Sequence, residues 1–362
     1  MSWFCSEVYK NISSNTNGHW KPCCIGKRVN DMKLEDTKFL DFFNSEELNQ
    51  LRKDQKEGNF SELVKKTCGK CISDEANGVV SRRQYSNIKY SNSDLSTLEF
   101  ESIKVKHIGN LCNQKCVMCS PSASSALALE AKNHFGWEDE IVISSKPTET
   151  YLEGLKEVLP YTKSVKFVGG EPLINPMTWE FIDWLCQQSF FHLNVHFTSN
   201  CSRTIIPENL KKLKKFKSIS ILASVDALGK RCEYIRYPMN FEKCIENTKT
   251  FINQGINVNF TSCVSIVNFG YMGEFLSFLL KEFNSGMAVN MVNFPTILSP
   301  KNIPTEIKKS YQLPSKDLEL IRDAQPDLNL FKQGLIYLKS LDEIRGNNLF
   351  DFCPEFEKYY EQ

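Results

Sequence analysis

The chain has 362 residues, enough for one large α/β domain with an accessory unit. Its 44 lysines and arginines stand against 43 acidic side chains, so there is no overall electrostatic pull toward nucleic acid or an anionic membrane surface, and no uninterrupted apolar run is long enough to span a bilayer. Fourteen cysteines in a chain of this size argue against a disulfide framework, and Met1-Ser-Trp-Phe-Cys-Ser-Glu lacks the charged-then-apolar plan of a signal peptide; a soluble, cytoplasmic protein whose clustered cysteines bind metal is expected.

Residues 1–95 carry Cys5, Cys23, Cys24, Cys68 and Cys71 but no long periodic segment beyond a helix predicted over Ser45–Glu57. A stretch with so little apolar periodicity has difficulty burying a core. A metal that ties its ends together would supply folding energy. Asn17-Gly18 is a strong hairpin signal and would bring Cys5 and Cys23 together, with Cys24 as a spare that the sequence does not exclude as the ligand. Four cysteines suit a structural zinc ion or an iron–sulfur cluster alike. The run Ser81-Arg-Arg-Gln-Tyr85-Ser-Asn-Ile-Lys-Tyr90, basic and aromatic in alternation, reads as a solvated linker or edge strand, with contact to an anionic or peptide substrate as the functional alternative.

From about residue 96 strands alternate with amphipathic helices. Strands are predicted at Ile103–Ile108, Ser164–Val168, His192–Thr198, Ile219–Val225, Asn257–Val264 and Ala288–Val292. Helices are predicted near Ser124–His134, Tyr151–Leu159, Met177–Cys186, Pro207–Phe216, Phe241–Gln254 and Tyr271–Glu282. Strict alternation argues for parallel βα units with right-handed crossovers. Chemistry in such barrels gathers at the C-terminal ends of the strands.

The first of these strands ends in His107-Ile-Gly-Asn-Leu-Cys112-Asn-Gln-Lys-Cys116-Val-Met118-Cys119, a CxxxCxxC loop. Thiolates are soft ligands, and a closed zinc site would need a fourth that the loop lacks. Three thiolates on a four-iron cluster leave one iron open. The second strand ends in Gly169-Gly170-Glu171-Pro172, where two glycines let the backbone approach a ligand, or simply make a βα turn. The third ends in Thr198-Ser199-Asn200-Cys201: Asn200 either bonds a cofactor or caps the next helix, and Cys201 would sit at a pocket rim. The fourth ends in Ser224-Val-Asp226, followed by Arg236; a carboxylate or hydroxyl can accept from ribose hydroxyls and a guanidinium can fork onto a carboxylate, while the plainer alternatives are a turn cap for Asp226 and a surface ion pair for Arg236. Cys186, Cys232 and Cys244, in helices or their flanks, read as small buried hydrophobes. Beyond Val292 a run with three prolines predicts an extended connection, then helices over Ser315–Ala324 and Leu328–Lys339.

CxxxCxxC with an apolar residue before its last cysteine, followed one strand later by Gly-Gly-Glu-Pro, resembles the radical S-adenosylmethionine (SAM) superfamily. That resemblance implies a [4Fe-4S] cluster on Cys112, Cys116 and Cys119, its open iron chelating SAM, and reductive cleavage of SAM to a 5′-deoxyadenosyl radical that abstracts hydrogen from a substrate. It implies the fold, an α/β partial (β/α)6 TIM-like barrel over residues 96–300, with a small N-terminal cysteine-rich domain (1–95) and a C-terminal helical cap (301–362). Gly169, Gly170, Glu171 and Pro172 would meet the amino group of SAM, Met118 its adenine, Ser224 and Asp226 its ribose, and Arg236 its carboxylate, with Asn200 beside the cofactor. Cys263, Ser265 and Asn268 would lie toward the adenine. Cys201 matches a position where some members use a thiol to return a hydrogen atom.

Cys5, Cys23, Cys68 and Cys71 resemble the ligands of a second, auxiliary [4Fe-4S] cluster in the twitch unit of SPASM/twitch enzymes, here placed before the barrel as in the N-terminal-twitch subgroup. A reductant such as flavodoxin or ferredoxin and a peptide, protein or small-molecule substrate are implied, with no nucleic acid. The contrasting class is a non-catalytic iron–sulfur or zinc module that has kept the barrel.

Overall fold

The computed structural model describes residues 3–15, 17–76, 80–106, 109–138 and 146–360. Its sheet has eight strands, β1 (Asn11–Ser14), β2 (Trp20–Lys21), β3 (Ser102–Val105), β4 (Ser164–Phe167), β5 (Asn194–Ser199), β6 (Ser218–Ser224), β7 (Asn257–Val264) and β8 (Met287–Met291), in the order β2-β1-β3-β4-β5-β6-β7-β8. β1 pairs antiparallel with β2, and β1/β3, β3/β4, β4/β5 and β7/β8 are parallel. This is the mixed α/β, mostly parallel architecture of a partial βα barrel. The six strands and six helices predicted between residues 96 and 300 are present with ends shifted by a few residues, as expected where alternation sets the element and capping sets its limit. His107 and Ile108, the end of the first predicted strand, lie outside the described residues.

Two compact units divide the chain: Met1–Leu111 with Asp139–Thr198 and Ile205–Ser220, and Cys112–Glu138 with Ser199–Thr204 and Ile221–Gln362. Residues 1–95 fall within the first of these units. β1 joins the sheet against β3, with Ile12 opposite Ile103. Trp20, almost fully buried, packs on Phe39 at 5.4 Å and on Tyr151 at 5.7 Å, and Phe39 meets Phe100 edge-on at 5.2 Å. Aromatic side chains buried like these contribute about 1.5–3 kcal/mol each, so the N-terminal segment shares the core of the βα units it precedes.

Gly18, in the left-handed region at φ +73°, makes the β1/β2 hairpin that its sequence predicts. Two other features of this region differ from expectation. A helix spans Glu62–Ala76 and carries Cys68 and Cys71 on successive turns. Ser81–Tyr90 is neither linker nor strand but a capped helix, Arg82–Lys89, in which the Ser81 side chain accepts from Gln84 N and the Gln84 side chain accepts from Ser81 N. The Ser-x-x-Gln signature of that capping box was present in the sequence and outweighs the charge alternation. Its arginines are used internally, Arg82 pairing with buried Glu7 at 2.9 Å and Arg83 with Glu75 at 2.6 Å.

In the second unit the C-terminal helix runs Leu328–Arg345, six residues past the predicted end, because Leu338, Leu341, Asp342 and Arg345 keep one face buried and Gly346 at φ +66° then closes it. The proline-rich connection before it folds into two short 3-10 turns, Thr296–Leu298 and Pro300–Asn302. No helix among the described residues is long and apolar enough to cross a membrane.

Lys308 holds the tail together without a carboxylate. Its buried Nζ donates to the carbonyls of Lys301 (2.9 Å), Ile321 (3.3 Å) and Ala324 (2.5 Å). Burial pushes this ammonium down to about 8, against 10.5 for a free lysine. Between those two values the unfolded chain binds the proton that the folded chain has released, so stability rises with pH across that window. Denaturation midpoints of wild type should therefore gain on the order of 1 kcal/mol between pH 8 and pH 10.5 relative to Lys308→Met, the three carbonyl acceptors moderating the effect; parallel pH profiles would refute the assignment.

Candidate active site and four-cysteine pocket

Within the second unit the CxxxCxxC loop is braced from three sides. Val117 N donates to Ile235 O at 2.9 Å and Lys115 N to Tyr237 O at 2.5 Å, two backbone bonds that flank Cys116 on one strand of chain and Arg236 on the other. The Tyr337 hydroxyl of the C-terminal helix donates to Val117 O at 3.2 Å. Lys115 reaches Glu130 at 3.2 Å, and Arg345 grips the same carboxylate with two nitrogens, at 3.2 and 2.6 Å. Glu130 and Arg345 are both buried, so removing either leaves the other charge without its compensation.

Cys116 is buried, and Cys112 and Cys119 are half-buried. Burial pushes the Cys116 thiol well up; nearby Arg236 opposes this, and Cys119 and Cys112 add to it, which marks the three sulfurs as electrostatic neighbours. Arg236 Nε lies 2.7 Å from Asp226 Oδ2. Its Nη1 donates to Cys116 Sγ at 4.0 Å. The other Asp226 oxygen accepts from Cys263 N at 2.7 Å. Asp226 is fully buried and Arg236 nearly so, so the surface ion pair and the turn cap considered from sequence are both replaced by a buried charge pair. Cys263, half-buried on β7, has its thiol pushed up to about 11 by burial first and then by Asp226, with Cys119 contributing.

Asn200 neither caps a helix nor stands free: its Nδ2 donates to Asn113 Oδ1 at 3.0 Å and its Oδ1 accepts from Ser202 N at 3.0 Å. Cys201 is not at a rim. It is fully buried at φ +55°, its thiol directed at Ser199 O and within hydrogen-bond reach of Cys244. Ser224 ends β6 half-buried, and Met118 is half-buried beside Cys119. Gln114, Lys115, Glu130, Tyr337 and Arg345 were not singled out from sequence. Only the Glu130 and Arg345 charges on otherwise apolar helix faces could have signalled that brace.

In the first unit Gly169 and Gly170 take φ +92° and +54°. A Cβ on Gly170 would lie 2.4 Å from Leu111 O and 2.8 Å from Asn110 C. Glu171 N donates to Leu111 O at 2.7 Å, and the buried Glu171 side chain accepts from Leu173 N at 3.0 Å. The tetrad thus locks onto the backbone just before Cys112, a closer demand for glycine than a plain βα turn makes.

The same unit holds the second cysteine set. Cys5, Cys23, Cys68 and Cys71, four residues from three separate parts of the sequence, line one pocket with Gln55, Arg82 and Arg83. Cys24 is not among its lining; its carbonyl accepts from Lys21 Nζ at 3.4 Å. Gly26 N donates to Cys23 Sγ at 3.1 Å and Gln55 Nε2 to Cys68 Sγ at 3.3 Å, while Gln55 Oε1 is buried without a partner. Burial pushes the Cys23 thiol up to about 12 and Cys68 up to about 11; Cys5 and Cys71 also rise, the first raised further by Cys23. Among the described residues no three His, Cys, Asp or Glu side chains converge closely enough to hold a single metal ion.

Residues 107–279 match the family model of the radical SAM superfamily. That stretch, just under half of the chain, is similar to the radical SAM superfamily. A protein of Methanocaldococcus jannaschii without an assigned function is 23% identical over 239 residues, 65% of this chain and 73% of that one. Among solved structures, anSMEcpe with bound AdoMet aligns with a TM-score of 0.42 and 16% identity over 68% of this chain and 63% of its own. Streptococcus suis SuiB bound to precursor peptide SuiA aligns with a TM-score of 0.40 and 15% identity over 86% of this chain and 64% of its own. The chain thus spans less than two thirds of the length of either structure.

A radical SAM domain calls for an iron–sulfur cluster, and the loop fits one on its own evidence. Gln114 is buried against Cys116, whose Sγ donates to its Oε1 at 3.6 Å, and its Nε2 is a buried donor without a partner, one that a cluster sulfide could accept from.

Gly170→Ala combines a left-handed backbone with overlap onto Leu111 O, and should cost about 2 kcal/mol of stability, seen as a lowered denaturation midpoint. A variant as stable as wild type would mean that the contact with Leu111 yields freely.

Proposed function

We propose that the protein is a radical SAM enzyme that binds a [4Fe-4S] cluster on Cys112, Cys116 and Cys119 and acts on a peptide or protein substrate. The observation that carries this reading is the three-cysteine loop within the stretch that matches the radical SAM family model, clamped by the 235–237 segment and backed by buried Gln114, whose Nε2 has no partner. When bound and reduced, the cluster supplies the electron that cleaves SAM and so the radical that removes hydrogen from the substrate.

The chain's own residues hold and orient. Arg236 and Asp226 keep a compensated charge pair against Cys116 in a site closed to water. The Gly169–Pro172 turn offers backbone groups to SAM, and Ser224 and Asn200 sit at the ends of β6 and β5, where a cofactor in a parallel barrel is met. Met118 offers a thioether surface for an adenine. The thiols of the loop must lose protons on binding iron, which the Arg236 charge favours. Cys201, buried against Cys244, is reserved for hydrogen return only if substrate reaches that interior.

A second [4Fe-4S] cluster on Cys5, Cys23, Cys68 and Cys71 is part of the same proposal. Its support is the pocket that all four cysteines line and the donors that Gly26 N and Gln55 Nε2 direct at Cys23 and Cys68. Arg82 and Arg83 in the lining offset the charge such a cluster brings. A small acidic electron donor such as flavodoxin or ferredoxin is the proposed reductant. The peptide or protein substrate is proposed from the Ser224-Val-Asp226 and Arg236 pattern, which resembles that of SPASM/twitch enzymes.

Anaerobic reconstitution followed by dithionite and SAM should release 5′-deoxyadenosine, with Cys116→Ala reduced to background, a loss of at least 100-fold. Wild type that makes no more than this variant would favour a non-catalytic metal module. In full-length protein with Cys112, Cys116 and Cys119 all replaced by alanine, iron and charge-transfer absorption should remain from the second site; stoichiometric zinc without that absorption would overturn its assignment as a cluster.

A further inference from the structure

Arg236 occupies an unusual place in the clasp around the three-cysteine loop. The carbonyls of the residues on either side of it, Ile235 and Tyr237, accept from Val117 N and Lys115 N, the residues on either side of Cys116. Arginine and cysteine are thus fixed opposite each other by two backbone hydrogen bonds. Asp226, fully buried, takes one edge of the guanidinium at Nε, and its own second oxygen is anchored by Cys263 N. What remains of the guanidinium is turned on Cys116, with Nη1 donating to Sγ at 4.0 Å.

We propose that Arg236 is a positioning residue for Cys116: held by Asp226, it donates to the sulfur that ligates the cluster and raises the cluster's reduction potential, instead of receiving the carboxylate of SAM. This deepens the proposed function and rests on its assignment of Cys112, Cys116 and Cys119 as cluster ligands.

Three observations converge on it. Arg236 is 7% exposed and Asp226 0%, so no bulk water screens the cation from the sulfur. Swinging the guanidinium toward a cofactor carboxylate would strand Asp226, whose Oδ2 makes no aligned hydrogen bond beyond the ion pair. Hydrogen bonds and positive charge at a ligating thiolate stabilise the reduced cluster, which carries one more negative charge, more than the oxidised one, and so raise its potential.

The test is an anaerobic redox titration of the reconstituted full-length protein without SAM, with dithionite as the electron source and the reduced cluster read by electron paramagnetic resonance. To keep its signal separate from the second site, Cys68 and Cys71 are replaced by alanine throughout. Two variants are compared: Asp226→Asn/Arg236→Gln, which removes the charge pair as a unit and leaves no buried ion, and Arg236→Lys, which keeps a cation for Asp226 but has no second arm to reach Cys116. Both should load iron and sulfide like wild type. At the wild-type midpoint the ratio of reduced to oxidised cluster should fall about tenfold in the double variant, 59 mV for one electron, and by a smaller factor in Arg236→Lys. Affinity for SAM, measured by calorimetry, should change less than twofold.

A potential that stays put while SAM binding weakens tenfold or more would overturn the proposal and make Arg236 the carboxylate clamp. A potential and an affinity both unchanged would overturn it too. Failure of the parent protein to take up iron at Cys112, Cys116 and Cys119 would instead defeat the cluster assignment, and is recognised from iron and sulfide content before any potential is read. Should the double variant alone fail to load, the Arg236→Lys potential decides.

Discussion

The interaction on which the second unit depends is the paired clasp of residues 115–117 by residues 235–237. The CxxxCxxC loop forms neither strand nor helix, and so has few internal hydrogen bonds with which to fix its three thiols. Borrowing two carbonyls from a neighbouring segment gives it the rigidity of a sheet without the length of one. The buried Asp226–Arg236 pair then fixes the segment that does the clasping. Such a pair contributes little net stability once desolvation is counted, but it strongly penalises any arrangement in which one partner is displaced. Its value here is registry: Arg236 can lie where it does only if Asp226, Cys263 and the cysteine loop are all in place.

The same logic recurs at the outer side of the loop. Glu130 accepts from both Lys115 and Arg345, so a helix near residue 130, the cysteine loop and the last turn of the C-terminal helix share one carboxylate. Gly334 of that helix leaves no room for a side chain, because a Cβ would lie 2.3 Å from Ile297 O. The tail, expected from the sequence as a helical cap, is packed to backbone contact within its unit, and Tyr337 carries that packing to Val117.

How far the sequence was legible follows from which interactions are local. The βα elements between residues 96 and 300 were readable because each depends on its own periodicity, and the CxxxCxxC loop and the Gly169–Pro172 turn because their chemistry lies within a few residues. The N-terminal helix predicted over Ser45–Glu57 is present as Glu46–Glu57, but two later ones were missed, each for its own reason. Glu62–Ala76 has a weak apolar stripe, and Arg82–Lys89 is short and charged, its stability supplied by the Ser81 cap and by Glu7 and Glu75, partners that no window around it contains. Cys201 could be placed at a strand end, yet whether a strand-end side chain faces a pocket or the interior depends on the neighbouring helix, here the one bearing Cys244 and Asn247, whose Nδ2 donates to Cys201 O. Arg236 could be marked from its local pattern with Asp226, with which it pairs, but its contact with a sulfur 120 positions away could not.

The two cysteine sets differ in how much folding each presupposes. Cys112, Cys116 and Cys119 lie within eight residues, so loading them asks only that one loop be shaped, and the clasp shapes it before any metal arrives. Cys5, Cys23 and the Cys68/Cys71 pair come from three segments: Arg82 and Arg83 tie the chain start to the helices that follow through Glu7, Phe4 O and Glu75, and Lys27 N donates to Thr67 O beside Cys68 at 3.0 Å. Those four thiols share one pocket, and burial pushes each of them above the usual thiol range. A group bound by all four bridges segments that the polypeptide otherwise joins by ion pairs and hydrogen bonds such as these, so its binding energy enters the stability of the N-terminal region directly. Because that region shares its aromatic core with the helix at Glu149–Val158, through Trp20 and Tyr151, the stabilisation is passed to the strands that carry the Gly169–Pro172 turn. Metal at the four-cysteine pocket would thereby stiffen part of the catalytic framework without supplying a ligand to it.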